Sequence, residues 1–161
     1  MILITGCAGF IGFHLSKNFL KSKKKVLGID IDIREHNKKA IESHPMSSKI
    51  TMFEGSSIDE DMIKRVHEFA KQGKKIMIFL DSMHSHDHVL EELKAYANLT
   101  SVGSYCVVFD TLIEDRPKGF YNRPWDKGDN PKTAVWEYLK DSDNFIIDEN
   151  IDNKILISVA P

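Results

Sequence analysis

The sequence predicts a doubly wound α/β domain: a mostly parallel sheet with helices on both faces. Three observations carry that expectation. Short, continuously apolar runs alternate with segments of helical periodicity along the chain. A glycine-rich turn, Gly6-Cys7-Ala8-Gly9-Phe10-Ile11-Gly12, stands between the first apolar run and the first helical segment. The five apolar runs end, in order, at Gly6, Asp30, Glu54, Asp81 and Asp110. In a parallel sheet all of these fall on the carboxyl rim, where ligands bind at the switch point of the strand order.

The elements follow from local pattern. Met1–Thr5 is a first strand, and Phe10–Lys21 carries apolar residues at helical spacing. Lys25–Asp30 is a second strand, and Arg34–His44 forms a helix stopped by Pro45. Ile50–Phe53 is a third strand. Ile58–Gln72 places Ile58, Met62, Ile63, Val66 and Phe69 on one helical face, with Gly73 as the stop. Lys75–Leu80 and Ser104–Phe109 are the fourth and fifth strands, separated by a helix over Asp87–Ala97. A polar loop with Pro117, Gly119, Pro124 and Gly128 leads to a last helix over Lys132–Lys140, with Asn130 as its cap and Pro131 in its first turn. Phe145–Asp148 and Lys154–Val159 read as two antiparallel closing strands, for seven in all. Strands that are apolar throughout are those covered on both faces, and right-handed crossovers then wind the sheet doubly.

Bulk composition narrows the function classes. With 161 residues the chain forms one domain, 1–161, with a full core. Its 42% hydrophobic and 29% charged residues describe a folded globule. A formal charge of −2 leaves no footprint for nucleic acid. The run Lys21, Lys23, Lys24 and Lys25 reads as a solvated helix end, where cations suit the helix dipole. Cys7 and Cys106 sit in apolar strand-edge contexts and read as buried free thiols of a reducing compartment. Met1–Ile4 is too short for a membrane span or signal peptide, so a cytoplasmic location is expected.

The glycine turn has clear physical requirements. Gly6 permits the tight turn, Gly9 lets backbone approach a pyrophosphate at a helix N-terminus, and Gly12 allows close helix–strand packing. Asp30 lies 18 residues past Gly12, where an acid meets ribose hydroxyls. The run ILITGCAGFIGFHLSKNFL resembles the start of the extended short-chain dehydrogenase/reductases, the nucleotide-sugar epimerases and dehydratases, over about residues 1–30. That resemblance implies NAD as cofactor. Their proton transfer needs a Tyr-x-x-x-Lys pair, yet Tyr96, Tyr105, Tyr121 and Tyr138 have no lysine four positions later.

From about Val26 onward the blocks VLGIDIDIREHNKKAIESHPM, ITMFEGSSIDE, FLDSMHSHDHVLEELKAYANLTSVGSYCVVFDTLIED, NRPWDKGDNPKTAVWEYL and IDNKILISVAP resemble the cephalosporin hydroxylase-like and rhamnosyl O-methyltransferase proteins. The resemblance implies a Rossmann-like, seven-stranded sheet of the class I methyltransferase type. It also implies S-adenosylmethionine as cofactor, Mg2+, and a small hydroxylated, sugar-like acceptor in polysaccharide or lipid-linked sugar biosynthesis. Carried over by position, Asp30 takes ribose hydroxyls, and Glu54, Gly55 and Ser56 form the turn near adenine. Asp81 and Asp110 place a metal, and His84 acts as base or ligand beside Asp81.

Two features depart from that family. The Ile4-Thr5-Gly6 turn replaces an acidic strand-1 motif and the helical segment before it, so the chain reads as a join of two families inside VLGID. The fifth strand ends on Phe109-Asp110, with one acid in place of a pair. Without a strand-1 carboxylate for the cofactor's ammonium, weak S-adenosylmethionine binding and self-association into a homo-oligomer are expected. The alternatives are an NAD-binding fragment or an inactive remnant. His84, His86 and His88 at i, i+2, i+4 invite a zinc reading that no Cys or H-E-x-x-H motif supports. Trp125 and Trp136 read as packing residues.

Overall fold

A computed structural model describes residues 1–152. Five strands form one parallel sheet: β1 (Ile2–Thr5), β2 (Val26–Asp30), β3 (Ile50–Glu54), β4 (Met77–Leu80) and β5 (Cys106–Val108), in the order β3-β2-β1-β4-β5. The helices between them are α1 (Phe10–Lys21), α2 (Glu35–Glu42), α3 (Glu60–Ala70) and α4 (His86–Tyr96), followed by α5 (Pro131–Lys140) and the short α6 (Glu149–Asp152). The order reverses between β1 and β4, which makes that crevice the switch point.

Alternation along the buried strands divides the core in two. Leu3, Leu27, Ile29, Ile78 and Leu80 face α3, α4 and α5, meeting Met62, Val66, Leu90, Leu93 and Tyr96. Ile2, Ile4, Val26 and Phe79 face the other side with Leu20 of α1, where Phe19 lies 5.3 Å from Phe79 between ring centroids. A period-two pattern with both faces covered is the physical basis of the sheet's uniformly apolar strands.

One expectation needs correction. The described sheet has five strands, not seven, because Phe145–Asp148 forms no strand. Ile146 and Ile147 in that stretch stay exposed, so there is no apolar face to fix a register. The second closing strand, 154–159, lies outside the described residues. Both cysteines are free, Cys7 buried and Cys106 partly so. Among the described residues no helix is long and apolar enough to cross a membrane.

Candidate functional site

The glycine turn packs against β4 so closely that side chains are excluded. Gly6 has φ +66°, and a Cβ there would lie 1.8 Å from the Asp81 carbonyl oxygen. A Cβ on Gly12 would come within 2.6 Å of both the Cys7 Cα and the Gly6 oxygen. Gly9 is less constrained, its nearest neighbour being the Gly6 oxygen at 3.1 Å. Under the turn, Cys7 is a wedge. Its thiol donates to the Ile29 carbonyl at 3.3 Å and fills the space left by Gly28, where a Cβ would stand 2.5 Å from its sulfur. Burial, with the Asp30 charge adding, pushes this thiol far above its ordinary pKa, so it packs rather than reacts.

Asp30 closes the turn from β2. Its Oδ2 accepts the Ala8 N–H at 2.9 Å and its Oδ1 accepts the Asp32 N–H at 3.2 Å. Glu54, paired in register with Asp30, is engaged elsewhere. It accepts the Ile33 N–H at 3.1 Å and bridges to Lys38 at 2.9 Å, and that lysine holds its carboxyl below the usual range.

An open cleft of about 970 Å³ lies over the switch point. Its walls include Gly6, Gly9, Asp30, Gly55, Ser56 and Asp81 among the expected residues. Gly12 sits beneath the turn, Glu54 faces Lys38, and His84 and Asp110 pair with each other; none of these four lines the cleft. The cleft also takes in Ile31, Ser57, Ser82, Met83, His88 and Trp125. Ile31 is 71% exposed and Met83 43%. Apolar side chains standing open in a polar cleft offer flat contacts for a ring. Ile31 was detectable as a single apolar residue between two aspartates past a strand end. Trp125 carried no such signal, because the long loop that brings it over His84 (ring centroids 5.0 Å apart) has no periodicity.

Asp81, His84 and Asp110 form one cluster at the carboxyl ends of β4 and β5. One ligand atom from each lies within 4.8 Å of the others. His84 Nε2 pairs with the Asp110 carboxylate, and Asp110 itself adopts the left-handed region at φ +56°. Burial, and then the Asp110 charge, raise Asp81 from its ordinary value to about 7. Burial opposes protonation of His84, but the hydrogen bond to Asp110 and the charges of Asp110 and Asp81 outweigh it, so the imidazolium is favoured. Asp81 is no helix cap: α4 begins after Ser85, and the Asp81 N–H donates to the buried Thr5 hydroxyl at 3.1 Å.

The other histidines have separate roles. His86 fastens α4 to α5 through the Thr133 hydroxyl at 2.8 Å and Glu137 at 3.2 Å. His88 Nε2 lies 3.1 Å from both the Ser57 and Ser82 hydroxyls. Ser82 in turn donates to the fully buried Glu92 at 2.7 Å. The three histidines therefore do not share a metal site, despite their spacing. Trp136 is 47% exposed on α5, away from the cleft.

Residues 4–161 match the rhamnosyl O-methyltransferase/CmcI family, so the match runs through the glycine turn as well. Rhamnosyl O-methyltransferases of Mycobacterium tuberculosis and Mycobacterium bovis are 31% identical over 142 residues, covering 85% of this chain. The chain spans about half (53%) of their length. Among solved structures, MycE methyltransferase of the mycinamycin pathway, in complex with Mg and SAH, has a TM-score of 0.56 at 20% identity, covering 87% of this chain and 37% of its own. The Bordetella bronchiseptica enzyme WbmG, in complex with NAD and UDP, has a TM-score of 0.57 at 19% identity, covering 88% of this chain and 49% of its own. These two likenesses establish the Rossmann-like fold, which both kinds of enzyme share. The sequence match is the more specific finding: the chain belongs to the rhamnosyl O-methyltransferase/CmcI family.

Proposed function

We propose that the cleft binds S-adenosylmethionine and that the protein is an O-methyltransferase for a sugar or other small hydroxylated acceptor. The observation that carries the reading is the Asp81–His84–Asp110 cluster at a nucleoside-sized cleft over the switch point. Asp30 suits the ribose hydroxyls, and Ile31 and Met83 suit the faces of adenine. The strand-1 turn contributes no carboxylate for the ammonium of the cofactor; the cleft's acids are Asp30, Asp32 and Asp81. The cofactor supplies a methyl group on a sulfonium, whose departure leaves a neutral thioether.

The cluster fits a divalent cation, since two carboxylates face one small volume and their mutual repulsion already shows in the raised Asp81. Asp81 and Asp110, with His84 beside them, would hold such a cation, which would supply Lewis acidity toward an acceptor hydroxyl. Asp81 is the cluster member that lines the cleft, so its carboxylate is the one nearest an acceptor bound there. His84 holds Asp110 and offsets the charge of the acid pair. Trp125, stacked near His84, covers the acceptor side.

A second reading is favoured by one observation. The α1 N-terminus has no side-chain cap, and its glycine turn suits a pyrophosphate, as NAD would present. Calorimetric titration of the full chain with S-adenosylmethionine, S-adenosylhomocysteine and NAD, with and without Mg2+, separates the two. Heat from the sulfonium cofactor, strengthened by Mg2+, is expected; binding of NAD alone would reverse the assignment.

A further inference from the structure

The end of the sheet opposite the cleft gathers lysines that the proposed chemistry does not use; one of them, Lys49, donates to the Lys23 carbonyl at 3.4 Å. Residues 1–29 contain five lysines and no acid, in a chain of formal charge −2. The register sets them in line. Ile2 pairs with Val26 and with Met77, and Val26 pairs with Ile50. Lys49, Lys25 and Lys75 therefore precede β3, β2 and β4 at nearly one level. They are spread over three strand spacings, roughly 15 Å. Lys21 ends α1, Lys23 and Lys24 lie in its connection to β2, Lys74 lies in the connection to β4, and all four are exposed. Among the described residues none of these seven lysines forms an ion pair, nor do the scattered Lys17, Lys118, Lys127 and Lys140, whereas Lys38, Lys39, Lys64, Lys71, Lys94 and Lys132 do.

Two further observations point the same way. Lys23 occupies the left-handed position (φ 60°) of a Schellman motif, with Lys24 N–H donating to the Phe19 carbonyl at 3.0 Å and Lys23 N–H to the Leu20 carbonyl at 2.8 Å. Glycine is the favoured residue there, so the lysine is held at a conformational cost. Val102, in the connection that enters β5 at this same end, is fully exposed. That connection is tied to the lysine edge by the Ile76 N–H donating to the Ser101 hydroxyl at 2.9 Å.

We infer that this face docks on an anionic lipid surface, with the lysines over the headgroups and Val102 at the interface. The chemistry favours lipid over an acidic protein. Specific protein interfaces are depleted in lysine and enriched in arginine and aromatic residues, whereas the charged side chains named on this face are all lysines. None of these lysines lines either the cleft or the depression beside Lys94. Acidic side chains gather elsewhere, with Glu137, Asp141 and Asp143 lining a depression of about 450 Å³. Docking here leaves the cleft, on the far rim, open to solvent.

The test is co-sedimentation of the full chain with vesicles of phosphatidylcholine alone or with about a third phosphatidylserine. Binding to the anionic vesicles at low salt, its loss near 0.5 M salt, and no binding to neutral vesicles are expected. Each lysine reversed is expected to lower partitioning at least about fivefold, so Lys24→Glu/Lys25→Glu/Lys75→Glu should abolish it with an unchanged melting temperature. Lys23→Gly should weaken binding while raising the melting temperature, and Val102→Ser should weaken it without altering the salt dependence. Wild-type protein that ignores anionic vesicles at low salt, or a triple variant that binds as well as wild type, overturns the inference. The first result would leave an acidic protein as the partner of this face. No arm uses a methyl donor, so the outcome is independent of the catalytic proposal.

Discussion

Replacing Asp81 by asparagine isolates the electrostatic burden of the cluster. The folded protein raises the Asp81 carboxyl from its ordinary 3.8 to about 7, through burial first and the Asp110 charge second. A raised carboxyl pKa means that folding favours the protonated form. Its contribution to stability is complete below about pH 3.8 and is lost as pH rises through about 7. The full shift corresponds to roughly 4 kcal/mol. The group is partly open to water, and solvent screening reduces this to about 1–2 kcal/mol. His84 works in the opposite sense, because the Asp81 charge helps to keep it protonated, and asparagine removes that support. Asp81→Asn is therefore expected to match wild type near pH 4 and to exceed it by about 1–2 kcal/mol near pH 8, a rise of about 3–6 °C in melting temperature for a domain of this size. Thermal melts of both proteins across that range, in chelator, give the difference curve directly. Millimolar Mg2+ should reverse the order above pH 7 by stabilising only the wild type. A difference independent of pH would refute the burial of this carboxyl beside Asp110.

Gly6→Ala combines a left-handed backbone with a Cβ 1.8 Å from the Asp81 carbonyl, so it should fail to yield soluble folded protein; a normal melt would show that the turn does not pack on β4. Asn130 accepts the Lys132 and Thr133 N–H groups and donates to Glu114 at 2.6 Å, so Asn130→Ala should cost about 1–2 kcal/mol by denaturant titration. Lys23→Gly should gain about 0.5–1 kcal/mol by the same assay, from release of left-handed strain. For the sulfonium cofactor, the missing strand-1 carboxylate should weaken binding by about one to two decades relative to a site that supplies one. Calorimetry against such a family member would measure that gap, and equal affinities would show that the glycine turn is an adequate substitute.

The five parallel strands, the five main helices and the acid-tipped rim were legible in the sequence because each follows from a local rule. Apolar runs too short for helices, bounded by glycines and charges, have few other fates, and Asn130-Pro131 marks a helix start by chemistry alone. The placement of Gly6, Asp30, Gly55, Ser56 and Asp81 around one cleft follows from parallel topology, which puts every strand end on the same side. Tertiary structure alone decided the rest. Glu54 turned to Lys38 because that lysine of α2 reaches the end of β3, and a strand-end position does not reveal which side chain comes within 3 Å. His84, His86 and His88 are neighbours in sequence but separate in space. One sits before α4 with Asp110, one on the face toward α5, and one toward Ser57 and Ser82. Phe145–Asp148 has the composition of a strand and forms none among the described residues. Strand identity depends on a partner edge, and pairing is a property of the folded chain rather than of the segment.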